Sequence, residues 1–200
     1  MSVPALSDPA PQRPGTPQKT ITELLTQWAD LTNAAIDATG VTDGWYRGPL
    51  LNKNPWDPTV EDVGLPPCGT VGSKTAHQVS NSVTHVAFQA DPHPIADKLT
   101  AYWESQGFTV VRTVDWTSPV GDMDISIRAT RSDGVVYGLR ATSKIVGIDV
   151  SSECSTHPSI HTWAEKRVED RWKSPQPTPS EPSPSPAADA VTDDDRFWGF

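Results

Sequence analysis

Between residues 20 and 158 hydrophobic and polar positions alternate with two different periods, and the period changes mark the elements. Ile21, Leu24, Leu25, Trp28, Leu31 and Ala35 recur at helical spacing and predict a helix over 21–39. Thr20 and Glu23 form a T-x-x-E capping box at its start, and Gly40 supplies a left-handed stop. Residues 41–78 lose all periodicity and hold Gly44, Gly48, Pro49, Pro55, Pro58, Gly64, Pro66, Pro67, Gly69 and Gly72. A stretch this long without regular structure is usually functional or pinned, and Trp45, Tyr46, Trp56 and Cys68 are the side chains able to pin it. Val79, Val83, Val86, Ala87 and Phe88 predict a strand over 79–90. A second helix follows, opened by Pro92 and Pro94, with Ile95, Ala96, Leu99, Tyr102 and Trp103 on its apolar face and Gly107 at its end.

From there the period is two. Phe108, Val110, Val114 and Trp116 are expected on one face of a strand over 108–116. Over 122–130, Met123, Ile125, Ile127 and Ala129 point one way, and Asp122, Asp124, Ser126, Arg128 and Thr130 the other. Asp133-Gly134 marks a hairpin turn. Val135, Tyr137, Leu139 and Ala141, then Val146, Ile148 and Val150, continue the inner face over 135–142 and 144–150. One-sided alternation implies an antiparallel sheet with one covered face. The expected fold is therefore α+β: a two-layer sandwich, with an antiparallel sheet of four to five strands covered by two helices on one face. A third, amphipathic helix is expected over 158–172, carrying Ile160, Trp163, Ala164, Val168 and Trp172.

Composition explains the two ends. Of 20 prolines, five lie in residues 1–18 and six in 173–200, where large apolar residues are scarce. Such segments bury too little apolar surface to offset the entropy of ordering, so both are expected to be disordered. The organisation expected is a Pro-rich tail over 1–19, a domain over 20–157, the helix over 158–172, and an acidic Pro/Ser-rich tail over 173–200. The net charge of −9 argues against electrostatic nucleic-acid binding. No apolar run approaches a membrane span. Met1 is followed by SVPALSDPAPQRPG, which has neither the basic nor the apolar region of a signal peptide. Leu65-Pro66-Pro67-Cys68 has the spacing of a lipidation site without the apolar segment that should precede it.

The candidate chemistry is sparse. Cys68 and Cys154 flank the strands and read as one disulfide, the alternative being two reduced thiols in a reducing compartment. His157 and His161 have i,i+4 spacing, but Pro158 lies between them and no further ligand is placed beside them, so a solvated helix start is expected rather than a metal site. Asp122 and Asp124 are expected to face solvent. No nucleophile-elbow, zincin, Walker or dinucleotide motif occurs, so no catalytic residue, cofactor or metal is expected. Tryptophan is abundant, at eight residues. Trp28, Trp103 and Trp116 suit core faces, whereas Trp45 and Trp56 in the aperiodic stretch either line a ligand groove or plug the open side of the sheet. The last residues, Asp193, Asp194, Asp195, Arg196, Phe197, Trp198, Gly199 and Phe200, place acids before aromatics. This segment is similar to the acidic tip of bacterial single-stranded DNA-binding proteins, and it is a candidate for docking a protein partner, although the domain lacks the basic, aromatic face that single-strand binding needs.

The chain as a whole also carries a resemblance. The helix ending at Gly40 and followed by Trp45, Pro67-Cys68 before a strand, Ala101-Tyr-Trp-Glu-Ser-Gln-Gly-Phe-Thr-Val110, Asp133-Gly134 between strands, and Ser152-Glu153-Cys154 occur in that order. Over about residues 40–154 the set resembles the uncharacterised small secreted proteins and lipoproteins of actinobacteria. That resemblance implies an α+β domain, a Cys68–Cys154 disulfide, an extracytoplasmic or cell-surface position and no known enzymatic activity. The missing signal peptide and lipidation cysteine, and the long extension after the domain, depart from it. The function expected is a non-enzymatic extracytoplasmic accessory or binding domain, monomeric. The alternative is a cytoplasmic or phage-derived protein that recruits its partner through residues 193–200.

Overall fold

The computed structural model describes residues 18–48, 54–86, 91–119 and 121–173, with the side chains of 171–173 left out. Apart from Gln18 and Lys19, which bond to Thr156 and Glu153, and Lys173 at the end of the last helix, expectations for the two Pro-rich tails, for Ala87 and Phe88, for the Trp172 side chain and for the acidic-aromatic segment 193–200 lie outside the described residues. The elements run α1 (Ile21–Thr39), β1 (Trp45–Arg47), β2 (Asn54–Pro55), β3 (Pro67–Val71), β4 (Lys74–His77), β5 (Ser80–His85), α2 (His93–Ser105), β6 (Thr109–Thr117), β7 (Met123–Thr130), β8 (Val136–Thr142), β9 (Val146–Ser151) and α3 (Pro158–Lys173). By contact the chain divides into two units, Met1–Ala164 and Glu165–Phe200. Among the described residues no helix is long and apolar enough to cross a membrane.

The fold is α+β, with a sheet in the order β2-β1-β5-β9-β8-β7-β6 and antiparallel throughout. The five strands legible in the sequence are its continuous run β5-β9-β8-β7-β6. Two further strands, β1 and β2, come from the aperiodic stretch, so the sheet has seven strands rather than four to five. At three and two residues they are too short to show alternation. The pair β3-β4 forms a small separate sheet.

The first two helices start and stop for local reasons. Thr20 Oγ1 accepts from the Glu23 amide at 3.3 Å, and Glu23 Oε2 accepts from the Thr20 amide at 2.8 Å, so two amides that lack helical partners are satisfied reciprocally. Gly40 ends α1 at φ 79°, a conformation that costs a side-chain-bearing residue. Before α2, Asp91 Oδ1 accepts from the His93 amide at 2.9 Å. After it, the Phe108 amide returns to Trp103 O at 3.0 Å.

The core lies between α1 and α2 and one face of the sheet. Ile125, Ile127 and Ala129 of β7, Tyr137, Leu139 and Ala141 of β8, and Val146, Ile148 and Val150 of β9 are all buried, as their alternation requires. Leu24 and Trp28 of α1 and Leu99 and Trp103 of α2 close over them. Trp103 stacks on Tyr137 with ring centroids 5.0 Å apart, and the Tyr137 hydroxyl donates to Leu31 O at 3.0 Å. Ile160 and Trp163, at the start of α3, pack against this same core, and in the second unit Val168 is exposed.

One strand departs from expectation. Phe108 is buried and Val110 packs on the core, but Val114 and Trp116 are exposed. The register of β6 against β7 shifts between Arg112 and Val114. A bulge adds one residue, and with a side-chain period of two every later residue changes face. Val114 and Trp116 therefore stand opposite Ser126 and Asp124 on the uncovered face. Trp116 is not a core residue.

Candidate functional site

The two tryptophans singled out in the aperiodic stretch point inward. Trp45 is buried, donates from Nε1 to Val41 O at 2.7 Å and meets the His85 ring edge-to-face. Trp56 donates to Asn33 Oδ1 at 2.8 Å and packs edge-on to Trp28, with centroids 5.2 Å apart. With their N–H groups satisfied by α1 and its C-terminal loop, both act here as pins. They belong to neither of the two clefts that open beside α1.

Those clefts share Thr22, Thr26 and Asp30 on the exposed face of α1. One, of about 270 Å³, lies against Pro58–Glu61 with Trp28 and Leu25 on its wall. The other, of about 510 Å³, runs to Arg131 past Lys19, Glu23 and Gln27. Two of the charged groups in the second cleft, Lys19 and Arg131, are engaged by carboxylates beside it. Lys19 Nζ and Gln27 Nε2 both donate to Glu153 Oε1, at 2.7 and 2.8 Å. Arg131 grips Asp133 through Nε and Nη2 and lies 4.7 Å above the Phe108 ring centroid. Burial raises the Asp133 carboxyl, but the Arg131 guanidinium and the Val135 amide outweigh it and hold the carboxyl below its ordinary value.

Cys68 of β3 and Cys154, just after β9, form a disulfide with Cα atoms 6.0 Å apart. Beside it, His77 and Ser155 exchange backbone hydrogen bonds at 2.9 and 2.8 Å. The β3-β4 hairpin is thus fastened to the main sheet by a covalent bond and a two-bond bridge. His77 meets His161 edge-to-face at 5.8 Å, and His157 Nδ1 lies 2.9 Å from Ser159 Oγ. Among the described residues no cluster of three or more His, Cys, Asp or Glu side chains is arranged to hold a metal ion.

A charged chain that no sequence pattern announces joins α2 to the sheet edge. His93 sits between Asp91 (Nδ1–Oδ1 2.5 Å) and Asp115 (Nε2–Oδ1 3.1 Å). Asp115 continues to Arg112 at 2.8 Å, and Arg112 to Asp97 at 2.6 Å. Hydrogen bonds accepted by Asp91 and Asp115 raise the imidazole pKa. Those from the His93 backbone and ring lower Asp91, and those from Arg112 and His93 lower Asp115. Both ring nitrogens lie on carboxylates, an arrangement that favours the imidazolium over the neutral ring. The Asp91-Pro92-His93 triplet is visible in the sequence. Its link to Arg112 and Asp115 is not, because it requires the bulge.

The uncovered face of the sheet is polar toward its centre. Arg140 Nη2 donates to Asp124 Oδ2 at 3.2 Å. The Asp149 carboxylate lies over Gly138, where an added Cβ would stand 3.3 Å from Oδ2, and burial raises its pKa.

No protein-family model matches the chain, and no curated protein matches it in sequence. Among solved structures, the chain is similar to a DUF4853 family protein from Actinomyces odontolyticus at 13% identity and a TM-score of 0.46, over 70% of this chain and 71% of that one. A likeness of this strength assigns neither a family nor an activity.

Proposed function

We propose that this chain is a non-enzymatic binding or accessory domain that works outside the cytoplasm. The observation that carries the location is the Cys68–Cys154 disulfide, which staples a peripheral hairpin to the main sheet. Such bonds form and persist in oxidising compartments. The binding role is supported by the state of the charged groups. His93, Arg112, Asp115, Arg131 and Asp133 are each saturated by a neighbour, the arrangement of structural ion pairs rather than of a poised acid or base. Mass mapping of unreduced protein from the native host tests the location. A cross-linked Cys68–Cys154 peptide is expected, and two free thiols in the mature protein would overturn the reading.

A second reading, recruitment of a cytoplasmic partner through residues 193–200, is favoured by Asp193–Asp195 standing before Phe197, Trp198 and Phe200. Comparing the full chain with one ending at Lys173 by affinity capture decides it. An identical set of partners for both would defeat the role of that segment.

A further inference from the structure

The two ends of the sheet are finished differently. At one end β2 is two residues long and contains Pro55, the short, proline-bearing edge that discourages further pairing. At the other end β6 is nine residues long, contains neither Lys nor Pro, and among the described residues pairs with β7 alone. Its outer edge carries a row of backbone N–H and C=O groups open to another strand. Among the described residues the edge is interrupted by the bulge between Arg112 and Val114 and by the charged Arg112 and Asp115 turned toward the helices, and a regular stretch remains on either side of the bulge.

The side chains along β6 divide by face. On the uncovered face stand Val111, Val114 and Trp116, which are 54%, 39% and 54% exposed. On the helix side Arg112 meets Asp97 and Asp115 meets His93, whose other ring nitrogen lies on Asp91, so three carboxylates face one guanidinium and one imidazole. The side chains of Asp91 and Asp97 are more than half exposed. A strand added at this edge would lie about 4.8 Å beyond β6. Its residues on one face would cover the apolar row, and those on the other would reach the carboxylates.

We propose that β6 is a docking edge for an extended segment of another protein, whose side chains alternate between cationic and apolar. The partner adds as a further strand, with its apolar face on Val111, Val114 and Trp116 and its cations toward Asp91 and Asp97. Charge selects this occupant over a second copy of the chain. A second β6 would bring the same excess of acids to the same face, on a molecule of net charge −9. The proposal rests on the binding role proposed above and not on the location. A protein with its disulfide intact that fails the following test loses the docking edge and keeps its proposed compartment.

The test uses isotopically labelled full-length protein and synthetic nonapeptides of alternating lysine and valine. A glutamate–valine peptide controls for charge. Two lysine–valine peptides, N-methylated on opposite sets of alternate amides, control for strand pairing. The lysine–valine peptide is expected to shift the Thr109–Thr117 amides and the Trp116 indole saturably and to slow hydrogen exchange along β6. The glutamate peptide and one of the two N-methylated peptides should bind at least about tenfold more weakly, while the other N-methylated peptide binds as the parent does. Trp116→Lys, at an exposed site, should weaken the parent peptide by about tenfold or more with the thermal midpoint retained. Absence of β6 shifts up to roughly millimolar peptide, or equal binding of all the lysine peptides, would overturn strand addition. A dimer in sedimentation with β6 amides protected would overturn the choice of partner in favour of a second copy.

Discussion

Removing the disulfide with C68A/C154A is the perturbation whose size follows most directly from the structure. The bond spans a sequence separation of 86 residues. In the chain-entropy model, closing a loop of that length removes about 15 cal/mol/K from the unfolded ensemble, or about 4.5 kcal/mol at 25 °C. Little native structure is lost with it. The His77–Ser155 bridge, the Ser152 amide on Val79 O at 2.9 Å and the Val79 amide on Ser152 Oγ at 2.9 Å still hold the hairpin region against β9. The loss should therefore act on the unfolded chain, with far-UV circular dichroism unchanged. For a domain of this size each kcal/mol moves the thermal midpoint by about 2–4 °C, so a fall of about 9–18 °C is expected. Urea titration separates the mechanism from simple weakening. An unfolded chain without its cross-link exposes more surface, so the m-value should rise as the stability falls. A loss below about 1 kcal/mol with an unchanged m-value would show that the bond does not constrain the unfolded state, and the argument would fail.

Other perturbations address single contacts. Trp103→Ala should cost about 3–5 kcal/mol in urea unfolding, because it empties the stacking partner of Tyr137 at the centre of the core. Trp103→Phe should cost less, since the Trp103 N–H has no acceptor to lose among the described residues. Thr20→Ala, which removes half of the capping box, should cost about 1 kcal/mol by the same titration. His93 has a raised pKa in the folded state, so its stabilisation is complete below its unfolded value near 6.5 and is lost as pH rises through the folded value. Asp91 and Asp115 are lowered and contribute in the opposite sense, above their unfolded values near 3.9, with loss as pH falls through the folded ones. Thermal midpoints measured across about pH 3 to 9 should show both slopes. His93→Gln should remove the alkaline one, and an unchanged alkaline slope in that variant would refute the assignment.

What was legible in the sequence was what repeats. The T-x-x-E box and Gly40 bound α1 because capping is chemistry between residues three apart, independent of the rest of the fold. The alternation over 123–130 and 136–142 placed Ile125, Ile127, Tyr137 and Leu139 on the inner face because both strands are central and have helices on one side only. β1 and β2 escaped because at three and two residues there is no period to read. They exist because β1 pairs with β5 through Trp45↔His85 and Arg47↔Val83, a relation between distant segments. The roles of Trp45 and Trp56 were undecidable for the same reason. The acceptors the indoles find, Val41 O and Asn33 Oδ1, come from other segments, and no period in the sequence reports that meeting.

The bulge at Thr113 is the instructive case, because one extra residue produces three consequences that no period-two reading contains. Apolar residues occupy both phases of the segment: Phe108, Val110, Val114 and Trp116 in one, Val111 in the other. The longer set therefore suggests a single buried face. With Thr113 inserted and its hydroxyl donating to Ser126 O at 3.1 Å, the set divides. Its first half stays under α2, and its second half joins Val111 outside. The same shift puts Asp115 on the helix side with Arg112, where both meet α2, although an unbroken strand would hold the two on opposite faces. The apolar row and the charged chain thus have a common origin. A variant with Thr113 deleted should return Trp116 toward the helices and Asp115 to the open face, breaking the His93–Asp115 contact. The Trp116 emission maximum should then shift to the blue, and the alkaline slope of stability should flatten. Independent behaviour of those two signals would mean that the bulge does not couple them.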